Sequence, residues 1–390
     1  MLVANHQNAM LDPVLICLFL PKQLHWLTRA DVFKKPAVNF LLKKFNMLPV
    51  YRERDKVPHL HALNNQTFEE AYLRLSAKSV VCLFPEGTHR GKKQLHTLKK
   101  GVARMSASII EKNLSDAVIL PVGLDYENFY SYRKDILIKI GKPISLADYK
   151  YDFEKDLAKS QNMLLGDIRD GLKAVMIDIT RDDIYETLIH LRNLCYEASN
   201  SHKPEKQFDH YHAVCELADN NDDFAETVKQ KGKLYLQLTQ TLRLNDEYYS
   251  AKRPLKAIIL SVLLAIPSLP GIIIFYPVYL LTEMTQQKLV KDPLFINSIR
   301  VVFWAFITQL WLLILLLITQ FFVQDFTLSL LSVLAIMLSG FIALQWAEFR
   351  KQTLAWSSRQ TAKNNMSDKY QNWSALRAEL VEILRLKNYR

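Results

Sequence analysis

Along residues 1–150 the apolar positions fall into short runs with two kinds of spacing. Residues 13–20 are largely apolar, and Asp12 before Pro13 reads as an N-cap followed by a first-turn proline, so a helix is expected there. Residues 36–45 set Val38, Leu41, Leu42 and Phe45 at helical spacing with lysines opposite, and 59–75 and 101–112 read as further helices. Between them, 24–28, 79–84, 117–123 and 135–140 are β-rich apolar runs. The opening Met1-Leu2-Val3-Ala4 reads as the end of a buried strand, so a truncated N-terminus is expected. Helices alternating with apolar strands predict an α/β domain over 1–150, a mixed sheet flanked by helices.

After 150 the pattern changes. Residues 157–177 and 183–197 read as amphipathic helices, and 151–250 is expected to be an all-α extension. Three uncharged runs follow, 257–282, 301–324 and 327–347, each longer than the ~20 residues that carry a helix across a hydrocarbon core. Trp304, Trp311, Trp346, Tyr276 and Tyr279 suit interfacial anchors. Pro267-Ser268-Leu269-Pro270-Gly271 is a strong turn signal in the middle of the first run. A membrane segment over 251–350 is therefore expected, with a re-entrant hairpin at 257–282 and a helical hairpin at 301–347 turning near Asp325. In the tail, 351–390, Trp373, Leu376, Leu380, Ile383 and Leu384 recur near helical spacing among Arg377, Arg385 and Lys387. That is a basic amphipathic helix, packed on the protein or lying on the membrane surface.

Charge sharpens this division. The 390 residues are 49% hydrophobic and 23% charged with a net charge of +11, which excludes disorder. Residues 1–150 hold 23 Lys and Arg against 13 Asp and Glu, whereas 151–250 hold 12 against 19. Lys252, Arg253 and Lys256 precede the first apolar run, Lys288, Lys291 and Arg300 follow it, and Arg350 and Lys351 follow the last. By the positive-inside rule these segments are cytoplasmic, which matches a bacterial inner-membrane protein with residues 1–250 on the cytoplasmic face. The four cysteines, Cys17, Cys82, Cys195 and Cys215, form no CxxC pair, which excludes a disulfide scaffold and a Cys-based zinc site.

Four clusters carry candidate chemistry. Asn5-His6 leaves the opening strand, and Asp12 follows; a carboxylate holding one imidazole nitrogen leaves the other free to take a proton. Leu48-Pro49-Val50-Tyr51-Arg52-Glu53-Arg54 offers guanidinium forks suited to phosphate. Phe84-Pro85-Glu86-Gly87-Thr88-His89-Arg90 turns out of a strand end, where α/β sheets bind ligands, with Arg90, Lys92 and Lys93 adding positive charge. Gly87 and Gly91 lie too close together for a P-loop, and Lys93 follows Lys92. The fourth cluster is the apolar strand Leu120-Pro121-Val122-Gly123. Taken singly, each has a bland reading: a capped loop histidine, a basic surface turn, an ordinary β-turn, a buried strand.

In this order, over roughly residues 1–145, the four clusters resemble the glycerolipid acyltransferase family, which includes lysophosphatidate and glycerol-3-phosphate acyltransferases. Two departures stand out: five residues separate His6 from Asp12 where the family has four, and His89 stands where the family commonly has arginine. The resemblance implies a membrane-bound enzyme of phospholipid synthesis. It would move an acyl group from a thioester, acyl-CoA or acyl-carrier protein, to a hydroxyl of a glycerol-phosphate or lysophospholipid. No metal or other cofactor is implied. His6 would act as base, Asp12 as its orienting partner, and Arg52, Arg54 and Arg90 as ligands of the acceptor phosphate, with Glu86, Gly87 and Thr88 shaping the acceptor site. Membrane lipid is the expected partner, since a basic face favours docking on anionic lipid. The alternatives are a catalytically silent lipid-binding membrane protein, motivated by the His–Asp spacing, and a nucleic-acid-binding membrane protein. The second rests on charge alone and lacks a recognisable binding motif, so no nucleic acid is expected.

Overall fold

A computed structural model describes residues 1–114, 116–131, 133–248, 254–289 and 292–386. Lys252, Arg253, Lys291 and Lys387, which entered the reading of charge and topology, lie outside the described residues. The chain divides into two compact units. Unit 1 is Met1–Asp178 with Pro293–Ser298, and unit 2 is Ile179–Asp292 with Ile299–Arg390.

In unit 1 the order is β1 (Leu2–Ala4), α1 (Leu11–Phe19), β2 (Leu24–Arg29), α2 (Pro36–Lys44), β3 (Met47–Val50), α3 (Leu60–Ser76), β4 (Val80–Leu83), α4 (Gly101–Glu111), β5 (Val118–Tyr126), β6 (Ile136–Ile140), β7 (Ile144–Ser145), α5 (Lys150–Lys155) and α6 (Leu157–Lys173). The strands form one mixed sheet in the order β3-β2-β4-β1-β5-β6, with β7 pairing β5. The first five are parallel; β6 and β7 run antiparallel to β5. β3 includes Pro49 and lies at the sheet edge, where a missing N–H is tolerated.

Apolar cores cover both faces. On one, Ile16 of α1 packs with Leu24, Trp26, Cys82 and Val122. On the other, Phe68 of α3, Val102 of α4 and Leu164 of α6 pack with Val3, Val81 and Ile119. α6 therefore belongs to the sheet's own core, beyond the boundary that charge placed at residue 150. β1 and β4 are neighbours, yet the chain leaves β1 toward β2 and leaves β4 toward β5. Their outgoing helices, α1 and α4, lie on opposite faces, and this opens a crevice at the carboxyl ends of β1 and β4.

Unit 2 is helical: α7 (Asp182–His190), α8 (Arg192–Ala198), α9 (Pro204–Asn220), α10 (Asp222–Thr241), α11 (Pro254–Leu263), α12 (Ala265–Leu289), α13 (Ile296–Val323), α14 (Phe326–Asn365) and α15 (Ser367–Leu384). The tail helix α15 packs on the protein. It buries Trp373, Leu380 and Leu384, and Arg377 pairs with Glu197 at 2.8 Å and Asp246 at 3.0 Å. Among the described residues three stretches, Ala265–Gln286, Pro293–Val323 and Phe326–Asn365, are helices long and apolar enough to cross a membrane.

The re-entrant turn expected within 257–282 is not formed. α12 runs helically through Pro270 and Pro277, and the helix breaks only at Leu264. The reason is tertiary. The Ser339 hydroxyl accepts the Gly271 N–H at 2.8 Å and donates to the Pro267 carbonyl at 2.6 Å, so α14 satisfies backbone groups beside the proline. α13 and α14 are separated at Gln324 and Asp325, whose side chain accepts the Leu328 N–H.

Candidate active site

His6 lies two residues past β1, in the crevice. Its backbone is held on both sides: the N–H donates to Glu86 Oε1 at 2.8 Å and the carbonyl accepts the Arg90 N–H at 3.2 Å. The imidazole stacks on Phe84 at 4.0 Å between ring centres, and Phe84 stacks on Trp26 at 5.2 Å. Nδ1 lies 2.8 Å from Asp12 Oδ2. The His6 side chain is 16% exposed and that of Asp12 is 0% exposed. The buried carboxylate accepts the hydrogen bond from Nδ1–H, which leaves Nε2 as the basic nitrogen.

Asp12 does not cap α1. Met10 stands at the N-cap, and Asp12, in the first turn, reaches back to the preceding loop. Its Oδ2 accepts the N–H groups of Gln7 at 2.8 Å and Asn8 at 2.9 Å, and its Oδ1 accepts the Tyr126 hydroxyl. These donors and the amino end of α1 hold a charge that burial opposes. The loop between His6 and Asp12 passes through Ala9, a buried residue with φ 38°, and the pair closes at this five-residue spacing.

Glu86 works beneath the site rather than lining it. It is buried, and its two oxygens accept the backbone N–H groups of His6 and of His96, the latter at 3.1 Å. Burial pushes its carboxyl up to about 7, against the two hydrogen bonds and His6, which favour the charge. Gly87 sits at φ 68°, in the left-handed region that glycine enters without strain, and Thr88 is half-buried. His89 stands edge-on to His6 at 5.4 Å, with the Phe295 ring edge-on to His89 at 5.1 Å.

The basic residues divide. Arg90 is exposed, its backbone bonded to His6. Lys93 is not a solvated loop residue: it is buried, pairs with Asp125 and donates to the Tyr126 carbonyl at 2.5 Å. Arg52 follows β3, three strands from β1 and so ~14 Å across the sheet. Its guanidinium is bonded to Asp55 at 2.8 Å and lies 3.4 Å from Asp31, and Arg54 lies exposed in the next turn. The Arg29 guanidinium bonded to Asp31 holds that carboxyl down at about 2. The crevice thus gathers His6, Asp12, Glu86, Gly87, Thr88 and Arg90, while Arg52 and Arg54 stand at the β3 edge.

Sequence reasoning missed Tyr126 and Phe295. Tyr126 had one signal, its place at the end of the strand that pairs with β1. Phe295 is 289 positions from His6, and no local pattern marks it.

A mixed, mainly parallel sheet with a histidine–aspartate pair in its switch-point crevice is an α/β arrangement with the geometry that acid–base chemistry uses. The acyltransferase family model matches residues 1–125. Glycerol-3-phosphate O-acyltransferase 2 of Saccharomyces cerevisiae is 25% identical over 255 residues, covering 59% of this chain and 33% of that protein. Glycerol-3-phosphate O-acyltransferase 1 of the same yeast is 24% identical over 254 residues, covering 60% and 33%. An uncharacterized acyltransferase of Schizosaccharomyces pombe is 23% identical over 258 residues, covering 60% and 37%. The chain spans about a third of the length of these curated relatives. No solved structure matches it.

Proposed function

We propose that the chain transfers a fatty acyl group from an acyl thioester to a hydroxyl of a glycerol-phosphate acceptor, at the cytoplasmic face of a membrane. The observation that carries this reading is the 2.8 Å contact from the partly exposed His6 to the buried Asp12. His6 Nε2 removes the acceptor's hydroxyl proton as that oxygen attacks the thioester carbonyl. The tetrahedral intermediate expels the thiolate, the imidazolium returns the proton to sulfur, and an ester and a free thiol leave. Asp12 steadies the imidazolium without taking its proton. The acceptor's own hydroxyl is the nucleophile, so the cycle proceeds without an acyl-enzyme.

Arg90 is the cation whose backbone adjoins His6, and it is our choice for the acceptor phosphate; Arg52, held by two carboxylates, is the second candidate. The names of the two Saccharomyces cerevisiae relatives favour glycerol-3-phosphate over a lysophospholipid. The test is the purified full chain in lipid nanodiscs with a labelled acyl thioester, as acyl-CoA or acyl-carrier protein, and a panel of acceptors. Arg90→Ala should raise the glycerol-3-phosphate KM about tenfold or more with little change in kcat. An unchanged KM would return the phosphate to Arg52 or Arg54. A wild-type chain that binds lipid but releases no thiol with any acceptor would leave the silent lipid-binding reading in place.

A further inference from the structure

The catalytic unit carries an apolar surface that its own fold leaves uncovered. α1 seats Ile16 on the sheet and turns Leu18 and Phe19 outward, 72% and 69% exposed. Every residue of α2 is exposed or half-buried, and Phe40 and Leu41 within it and Phe45 just beyond are exposed. The steps β1 to β2 and β2 to β3 both move toward the β3 edge, so right-handed crossovers set α1 and α2 on the same face of the sheet. The opposite face is covered by α3, α4 and α6.

Charge identifies what this face meets. Lys22, Lys34, Lys35, Lys43 and Lys44 are all exposed around these aromatic and aliphatic side chains. Between residues 13 and 51 Asp31 is the single acidic residue, and it pairs with Arg29 and Arg52. An apolar centre ringed by lysines matches the interface of an anionic bilayer, where apolar side chains enter the acyl boundary and ammonium groups meet phosphates. The same chain carries three helices long and apolar enough to span a membrane, which keeps unit 1 within reach of one.

We propose that α1 and α2 dock unit 1 on the anionic bilayer surface, with Leu18, Phe19, Phe40, Leu41 and Phe45 inserted and the five lysines on lipid phosphates. The inference is independent of acyl transfer, and its test reads no activity. Cys17 is the exposed cysteine, and Cys82, Cys195 and Cys215 are buried, so a Cys17→Ala background can take one engineered label. An environment-sensitive fluorophore on Phe40→Cys, in the full chain in phosphatidylcholine–phosphatidylglycerol nanodiscs, should be quenched severalfold more by doxyl-labelled lipid than the same label on Glu154→Cys. Glu154 is exposed on α5, whose Phe153 packs in the opposite core. Replacing Lys34, Lys35, Lys43 and Lys44 by Glu should remove most of the difference. Equal quenching at both positions would overturn the proposal. So would a blue-shifted label that lipid quenchers do not reach, which would assign the face to a protein partner. If Phe40→Cys does not fold, Phe45→Cys carries the same test.

Discussion

Around His6, single side chains settle what the site does. His6→Ala removes the base while Phe84, Glu86 and Asp12 keep their other contacts, so kcat should fall about 10²–10⁴-fold with the fold retained. Near wild-type turnover in that variant would sink the mechanism. Tyr126→Phe is subtler. Its phenol, pushed well up by burial and by the Asp12 charge, remains a donor to Asp12. Loss of that donor leaves Asp12 more basic and draws the Nδ1 proton more strongly, so the acid limb of the kcat profile should move to higher pH with the acceptor KM unchanged. A purely structural role would lower kcat at all pH values alike. Glu86 gives a stability signature. Its carboxyl titrates at about 7 in the fold against an ordinary 4.5, so the folded chain binds the extra proton between those values. The stabilisation from that proton is complete below pH 4.5 and is lost as pH rises through about 7. Denaturation from pH 4.5 to 7 should therefore show the wild type losing ground to Glu86→Gln, and parallel curves would contradict the shift.

Among the elements, legibility followed locality. The helices near 13–20, 36–45 and 59–75 and the strands near 24–28 and 79–84 show in the sequence because each carries its own apolar period, and the structure places them within a few residues. β3 escaped because four residues with a proline read as a loop, and only pairing with β2 makes them a strand. The His6, Arg52 and Glu86 blocks were legible as motifs, by residue type and order, and in the structure each follows the carboxyl end of a parallel strand. Distance from His6 was not legible, since it depends on strand order, and order leaves no local trace. The proline-rich stretch in α12 misled because its remedy, Ser339, lies 68 positions after Gly271. Ser339→Ala should cost about 1 kcal/mol by stranding the Gly271 N–H and the Pro267 carbonyl, measured as a lower melting temperature in detergent. Gly271→Leu should cost more, because a Cβ there would come 2.4 Å from the Gly340 nitrogen. Neither change touches the crevice, so acyl transfer per folded molecule should stay near wild type.

For the whole molecule the strongest constraint comes from α15. It is packed in unit 2 with the helices that precede the apolar segment: Arg377 bonds to Glu197 of α8 and to Asp246, Trp373 donates to Thr239 of α10 at 2.8 Å, and His210 of α9 contacts the Leu384 carbonyl at 2.8 Å. Residues that pack together share one side of a membrane. The chain must therefore cross an even number of times between residue 248 and residue 367. Among the described residues three helices there are long and apolar enough to cross, so an even count leaves at least one of them not passing fully through. By the positive-inside rule Lys256 and Lys351, one on each side of the apolar segment, predict the cytoplasm for both ends. The prediction is that cysteines introduced at Ser201, before α9, and at Asp368, in the first turn of α15, react with a membrane-impermeant maleimide from the same side, the cytoplasmic one. In right-side-out vesicles both should stay unlabelled until the membrane is opened, whereas a cysteine at Asp325 should label at once if α13 and α14 form the crossing pair. Labelling of Ser201→Cys and Asp368→Cys from opposite sides would refute the packing of α15 against α8 and α10, and with it the even count.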